Sequence, residues 1–257
     1  MDLSYAEKLD KLQIRIRAHK EFANFDVSTW IDEFCGRAPR RRILDIGCGS
    51  GNHLELYARH VGPDGCVVGL DRERRLVESA RAAHRGWPQV EVLVGTMDDP
   101  LPFRDATFDL AFSNFAIYNA SDPRATLLEV RRVLEPGGQI VLIGPTRNNA
   151  REIYEYNERL TGIAIDPITL IRTDRVRQEI LPIVQTLFRD VEENVLNSFL
   201  TFPSADEFLL YFQSTMVYEE TAEKRGVTRD EMRAALAGSG PLTVSKEMLA
   251  VVASAPK

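Results

Sequence analysis

Between Arg42 and Gly144 short apolar runs alternate with amphipathic stretches, and this alternation limits the fold more than any other feature of the chain. RILDIG (42–47), CVVGLD (66–71), VEVLVG (90–95), TFDLAFS (107–113) and QIVLIG (139–144) read as strands. GNHLELYARH (51–60), ERRLVESARAAHR (73–85) and DPRATLLEVRRVL (122–134) read as helices between them, and EPGG (135–138) reads as the turn into the last strand. Strands joined by crossover helices predict a parallel sheet with both faces covered. Two later runs, VEENVLNSFLTF (191–202) and KEMLAVVASA (246–255), add a terminal hairpin-like pair with one antiparallel strand. The expected fold is α/β, a doubly wound, mostly parallel seven-stranded sheet.

The remaining segments read as helical. Residues 1–36 form an N-terminal cap, with Leu9, Leu12 and Ile16 on one face, Trp30, Ile31 and Phe34 in a second cluster, and Ser28 as N-cap of the second helix. Residues 147–161 form a helix with Gly162 as its stop, inside a lid insertion spanning 147–172. Further helices are expected over 174–188, 205–225 and 229–237. The chain reads as one domain over 1–257, with its core at 41–146 and the rest of the sheet within 173–257.

With 44% hydrophobic residues among 257, one sizeable core can be buried. The net charge of −6 disfavours nucleic acid and anionic lipid as partners. The one dense basic run, Arg37 to Arg42, reads as a solvated sheet edge. Three cysteines, with no C-x-x-C pair, argue against a disulfide framework or a cysteine-built zinc site. The charged start, MDLSYAEKLDKLQIRIR, resembles neither a signal peptide nor a membrane span, which points to the cytoplasm. A homodimer is compatible with these numbers.

Asp45-Ile46-Gly47-Cys48-Gly49-Ser50-Gly51 stands where the first strand turns into the first helix. Glycines there permit a tight turn and close approach to a ligand. The helix N-terminus behind them suits an anionic group, phosphate or carboxylate. The spacing is not the G-x-G-x-x-G of dinucleotide sites, because Asn52 stands where the third glycine would be. That disfavours a nucleotide-dependent oxidoreductase. Asp71, twenty residues after Gly51 at the tip of the second strand, is placed to accept both hydroxyls of a ribose.

With these blocks in order, ILDIGCGSG…VVGLD…LPFRDATFDLAFSNFAIYN…LLEVRRVLEPGGQIVLIGPT resembles the class I S-adenosylmethionine (SAM) dependent methyltransferases from about Arg41 to Thr146. The resemblance implies that the loop of Gly47, Gly49 and Gly51 holds the methionine part of SAM, that Asp71 holds the ribose, and that Asp98 or Asp99 meets the adenine. The cofactor neighbours it implies are Asp45, Gly47, Cys48, Gly49, Asn52, His53, Asp71, Arg72, Met97, Asp98 and Asn114. Phe103 and Phe108 are expected in the core.

By the same resemblance, the tip of the fourth strand, Ser113 to Asn119, faces the reactive methyl group. It carries no Asp, Glu or His and is not the N/D-P-P-Y/F motif of amide and amine methyltransferases. Asn114 and Tyr118 are its candidates for catalysis or positioning. Of four histidines, none falls after residue 84. His60 and His84 read as surface residues, His53 as a neighbour of the loop, and His19 in the cap as the one candidate base. Tyr118, Tyr154, Asn157 and Tyr211 are candidate substrate contacts, with Tyr156, Phe212 and Tyr218 as further aromatic wall. Aromatic faces attract a sulfonium cation. No HxxxH, HExxH or carboxylate cluster suggests a metal. The expected function is methyl transfer from SAM to a small molecule. Non-methyl SAM chemistry that releases 5′-methylthioadenosine and SAM binding without catalysis are the alternatives.

Overall fold

The computed structural model describes residues 9–36, 40–164, 167–237 and 241–256. Seven strands form one sheet: β1 (Arg40–Ile46), β2 (Val61–Asp71), β3 (Val90–Val94), β4 (Phe108–Asn114), β5 (Leu134–Pro145), β6 (Arg189–Phe202) and β7 (Leu242–Ser254). Their order is β3-β2-β1-β4-β5-β7-β6. Strands β1 to β5 are parallel, and β7 is antiparallel to both β5 and β6. The doubly wound α/β architecture expected from the alternation is the one observed. The order reverses at β1, so a crevice opens above the carboxyl ends of β1 and β4.

Strand alternation sends successive side chains to two cores. Ile43, Leu110, Phe112, Val141 and Ile143 face α2 (Val27–Cys35), α3 (Leu54–Ala58) and α4 (Arg74–Ala83). Leu44, Ile46, Ala111, Ile140 and Leu142 face α5 (Pro123–Val133) and α8 (Leu181–Leu187). Phe108 is buried in this second core, with Phe103 packed edge-on at 5.0 Å. Local chemistry sets the helix ends. Asp122 accepts from Ala125 N at 3.0 Å, and Pro123 opens the first turn of α5, where no amide partner is needed.

A third core lies past the ends of β6 and β7. It is built from α1 (Leu9–Phe22), α6 (Arg151–Thr161), α9 (Ala205–Gln213) and α11 (Arg229–Ala234), around Leu200, Phe202 and Val244. Two short helices, α7 (Pro167–Thr173) and α10 (Met216–Glu220), complete that side. The link from α1 to α2 is stitched to the outer strand. Asn24 N donates to Phe199 O at 3.0 Å, and Asn24 Oδ1 accepts from Phe199 N at 2.8 Å and Ser198 Oγ at 2.9 Å. The cap thereby pairs with part of the open edge of β6.

Several local expectations are corrected. The N-cap of α2 is Asp26, whose carboxylate accepts from Ser28 N at 2.8 Å; Ser28 itself lies inside the helix. The helix behind the glycine loop is the five-residue α3, starting only at Leu54, too short to present a strong dipole to an anion. The helix expected over 205–225 breaks at Ser214, because Ser214 and Thr215 bond the carbonyls of Tyr211 and Phe212, and Thr215 then caps α10 by accepting from Tyr218 N. The stretch 174–188 contains a wide π-type turn over Val176–Ile180 before α8. The basic run is not at a sheet edge: β1 is central, and Arg41 sits exposed at its amino end, paired with Glu135 at 2.7 Å. Residues 37–39 of that run lie outside the described residues.

Because Asn24 holds the cap to β6 by exposed bonds, Asn24→Ala should lower global stability by no more than about 1 kcal/mol. Amide exchange at Phe199 and along α1 should nevertheless speed up markedly. Unchanged exchange there would show that packing alone seats the cap.

Candidate functional site

Above the carboxyl ends of the strands lies a cavity of about 900 Å³. One half is floored by the glycine loop and the tips of β1, β2 and β4. The other is walled by α1, α6, α7, α9, α10 and the start of β7.

The loop is fixed by its backbone. Gly47 N and Cys48 N both donate to Leu70 O, at 2.7 and 3.1 Å, and Gly49 N donates to Asp71 Oδ2 at 2.8 Å. Gly47 has φ +78°, and a Cβ there would stand 2.2 Å from Ala116 Cβ, so β4's following turn excludes any side chain. At Gly49 the constraint comes from the cavity and the backbone rather than from neighbouring protein atoms. A Cβ there would meet only Leu12 Cδ2 at 4.0 Å; the position is open to the cavity, and the constraint is its φ of +55°. Cys48 lines the cavity, yet its thiol packs toward Gly69, where a Cβ would come within 2.9 Å of Sγ. Burial pushes that thiol's pKa well up, so it is not a reactive thiolate.

Two carboxylates differ sharply here. Asp71 accepts from Gly49 N and from Glu73 N, each at 2.8 Å, one bond to each carboxylate oxygen, and lines the cavity. Asp45 is 2% exposed, and among the described residues its Oδ1 has no hydrogen-bond partner. Burial, with Asp71 nearby, raises its pKa from 3.8 to about 8. Beside it Asn114 donates from Nδ2 to the Tyr57 hydroxyl, and Asn114 Oδ1 is likewise buried without a partner. Tyr57 stacks on Phe112 at 4.4 Å, fixing that hydroxyl. Phe115, next along, takes a left-handed φ of +55° at the strand tip, a strained conformation of the kind that concentrates at ligand sites.

The other expected residues fall unevenly. Asn52, His53, Arg72, Met97 and Asp98 line the cavity, as do Tyr118, Tyr154, Tyr211 and His19. Asp99 does not; of the two, Asp98 is at the cavity, and its Oδ1 accepts from Ser121 N at 2.7 Å. Asn157 is not a wall residue: it is buried, and its side chain accepts from Thr221 Oγ1 at 2.6 Å, tying α6 to the end of α10. Tyr156 and Phe212 lie in the third core and Tyr218 packs against it, because their helix faces turn inward there. His60 pairs with Asp32 at 2.6 Å, and His84 Nδ1 lies 2.8 Å from Ala80 O.

His19 reaches the cavity as expected, but its surroundings weaken it as a base. Burial, with Lys246 and Arg15 beside it, lowers its pKa to about 3. It is neutral at physiological pH and a weak proton acceptor. Burial also lowers His53, to about 4, partly opposed by Asp26.

Sequence reasoning missed Arg175. Its guanidinium is buried and donates to the carbonyls of Tyr118 and Ala120, both at 2.8 Å, while Glu179 balances it at 2.6 Å. It clamps the turn after β4 and so places Tyr118. The missed signal is the spacing Arg175…Glu179, one helical turn. Lys246 was missed as well.

The comparisons agree with this geometry. Residues 44–142 match the family model described as "Methyltransferase domain". Over 85% of its length the chain is 29% identical to an uncharacterized 37.1 kDa protein of transposon Tn4556 from Streptomyces fradiae, covering 59% of that protein. It is 34% identical to the demethylmenaquinone methyltransferase of Symbiobacterium thermophilum over 48% of this chain and 51% of that one. The chain thus spans little more than half the length of these curated relatives. A SAM-dependent methyltransferase from Aquifex aeolicus shares the fold, with TM-score 0.57, 17% identity, and coverage of 96% of this chain and all of that one. Residues 44–142 thus match a methyltransferase domain, set in the fold that the Aquifex enzyme shares.

SAM is the cofactor that goes with such a domain, and the residues fit it. Asp45 Oδ1 and Asn114 Oδ1 are buried acceptors lacking donors, and a methionine ammonium supplies them. Asp71 has lone pairs left for a diol, and aromatic rings face the cavity. Among the described residues no group of three or more His, Cys, Asp or Glu could hold a metal, and no helix is long and apolar enough to cross a membrane.

Asp45 yields a signed prediction for the protein without cofactor. Its folded pKa of about 8 lies above its unfolded 3.8, so its contribution is full below 3.8 and is lost as pH rises through 8. His19 and His53, with lowered pKa values, act oppositely, but only below their unfolded value of 6.5. Between pH 6.5 and 8 the protein should therefore lose about 2 kcal/mol relative to Asp45→Asn. Parallel stability curves for the two proteins in urea would contradict this.

Proposed function

We propose that this protein transfers the methyl group of SAM to a small-molecule acceptor. The observation that carries the reading is that Asp45 and Asn114, two buried acceptors without donors among the described residues, share a cavity with Asp71, while its other wall mixes aromatic and apolar side chains with cationic ones. The cavity is in the size range of small-ligand sites.

In this reading Asp45 and the loop backbone hold the methionine end, Asp71 the ribose, and Asp98 the adenine edge. Bound SAM supplies an electrophilic methyl group whose departure leaves a neutral thioether. The chain's own contribution is placement. Asn114 and the strained Phe115 set the floor beside the reacting atoms, Tyr118 is fixed by Arg175, and α1 and α10 help close the cavity against water. Neither ring candidate on the acceptor side offers a ready base: burial lowers the His19 pKa and raises that of the Tyr154 phenol. That favours an acceptor that is a ready nucleophile, an amine or carboxylate, over an alcohol. The matched family residues stop at 142, before α6 begins, so the acceptor of the quinone-modifying relatives does not carry over with the domain.

Two outcomes test this. Turnover with labelled SAM should yield S-adenosylhomocysteine; release of 5′-methylthioadenosine would select the non-methyl alternative, and binding without any turnover the non-catalytic one. Asp71→Ala should weaken SAM binding by roughly 10²-fold, since two charge-assisted hydrogen bonds are lost. Because Asp71 also holds Gly49 N, Asp71→Asn should fall between the two. Unchanged calorimetric affinity in folded Asp71→Ala would sink the cofactor assignment.

A separate check concerns His19. With its pKa near 3, kcat should show no limb near pH 6.5 that vanishes in His19→Ala. A limb of that kind would make His19 the base after all.

A further inference from the structure

Strand β7 carries a lysine where its pattern calls for an apolar side chain. Residues 244, 246, 248 and 250 share one strand face. Val244, Met248 and Ala250 are buried core residues, whereas position 246 is lysine. Lys246 points into the cavity, and its Nζ donates to the Tyr211 hydroxyl at 3.5 Å. Among the described residues it forms no ion pair with a carboxylate. An ammonium drawn out of bulk water beside apolar walls costs solvation that one neutral hydroxyl cannot offset.

Its surroundings reinforce the charge. Arg15, from α1, donates to Ser214 O, and the electrostatic influence of both cations reaches His19. The His19 ring lies edge-on to Tyr211 at 6.3 Å between centroids. Further round the wall Arg172 and Glu220 both act on Tyr154, with opposite signs. At this end of the cavity, among the described residues, the Lys246 ammonium stands beside two further polar groups, the Tyr211 hydroxyl and the His19 ring.

Register shows how far this end is from the chemistry. Asn114 is paired with Ile143, and Ile143 with Ala250. Lys246 lies four residues beyond Ala250 along β7, about 13 Å past the tier of Asn114. Ile16, Ile153, Met216 and Val217 line the cavity along with them.

We propose that Lys246, with Tyr211 and His19, forms an anchoring subsite for a carboxylate on the acceptor, which is an elongated amphipathic acid. Its apolar body lies along the wall of α1, α6 and α10, and its reacting atom lies at the opposite end, beside Asn114. A point charge flanked by two neutral donors suits a monoanion. Lys246 is a positioning residue here, and the inference rests on the acceptor half of the function proposed above.

The test is calorimetric binding of benzoate, cinnamate and decanoate, each beside its primary amide, with and without saturating S-adenosylhomocysteine. At least one carboxylate should bind about tenfold or more tightly than its amide. Lys246→Met should abolish that preference while leaving affinity for S-adenosylhomocysteine and the melting temperature nearly unchanged. Lys246→Gln serves if the methionine variant does not fold. The subsite is refuted if no carboxylate outbinds its amide, or if the preference survives both substitutions. Failure of S-adenosylhomocysteine to bind the wild type would instead overturn the methyltransferase reading, and the carboxylate preference is then read on the protein alone.

Discussion

Asp45, inside the buried run of β1, carries a carboxylate oxygen that nothing among the described residues satisfies. A charge in that position is unstable, and burial answers by keeping the proton on, with the pKa raised to about 8. The surroundings preserve the deficit. Gly47 lets the chain turn away at once, Ala116 fills the space where a side chain could have come back, and Asn114 spends its amide on Tyr57 and leaves its own oxygen bare. Under the proposed function, a cationic ligand supplies the donors this arrangement lacks. The two cores on either side of the sheet hold this arrangement rigid.

The floor of the cavity was legible in the sequence because its parts are short-range. The loop, Asp71 at the tip of β2 and the tip of β4 each follow from one strand end, and strand ends were readable from period and glycine placement. The acceptor wall was harder. Whether Asn157 or Tyr154 faces the cavity depends on how α6 is rotated against α10, which no period within α6 reveals, and Thr221 settles it by capturing the Asn157 side chain. The break at Ser214 hid in the same way, since two hydroxyls competing for nearby carbonyls look like any polar pair in a helical pattern.

Lys246 illustrates a different kind of signal. In KEMLAVVASA it looks like an ordinary charged start to a strand. Only the register with β5 and β6 shows that its side chain shares a face with Met248 and Val244. Arg175 is the complementary case: a cation that is buried, fully engaged with two carbonyls and a glutamate, and therefore structural. The division of labour follows from the fold. Under the proposed function the β1–β4 half holds the cofactor by backbone and carboxylates, while the late helices and β7 shape the acceptor space, so the second can vary without disturbing the first.

The central claim is that Asp45 awaits a cation, and proton linkage tests it directly. Titration of SAM into the protein at pH 7, in buffers of differing ionisation enthalpy, reads how many protons leave on binding. An ammonium placed against Asp45 lowers its pKa from about 8 and releases about one proton, and that release disappears in Asp45→Asn. Tight binding with no proton release, or the same release in Asp45→Asn, would contradict the account.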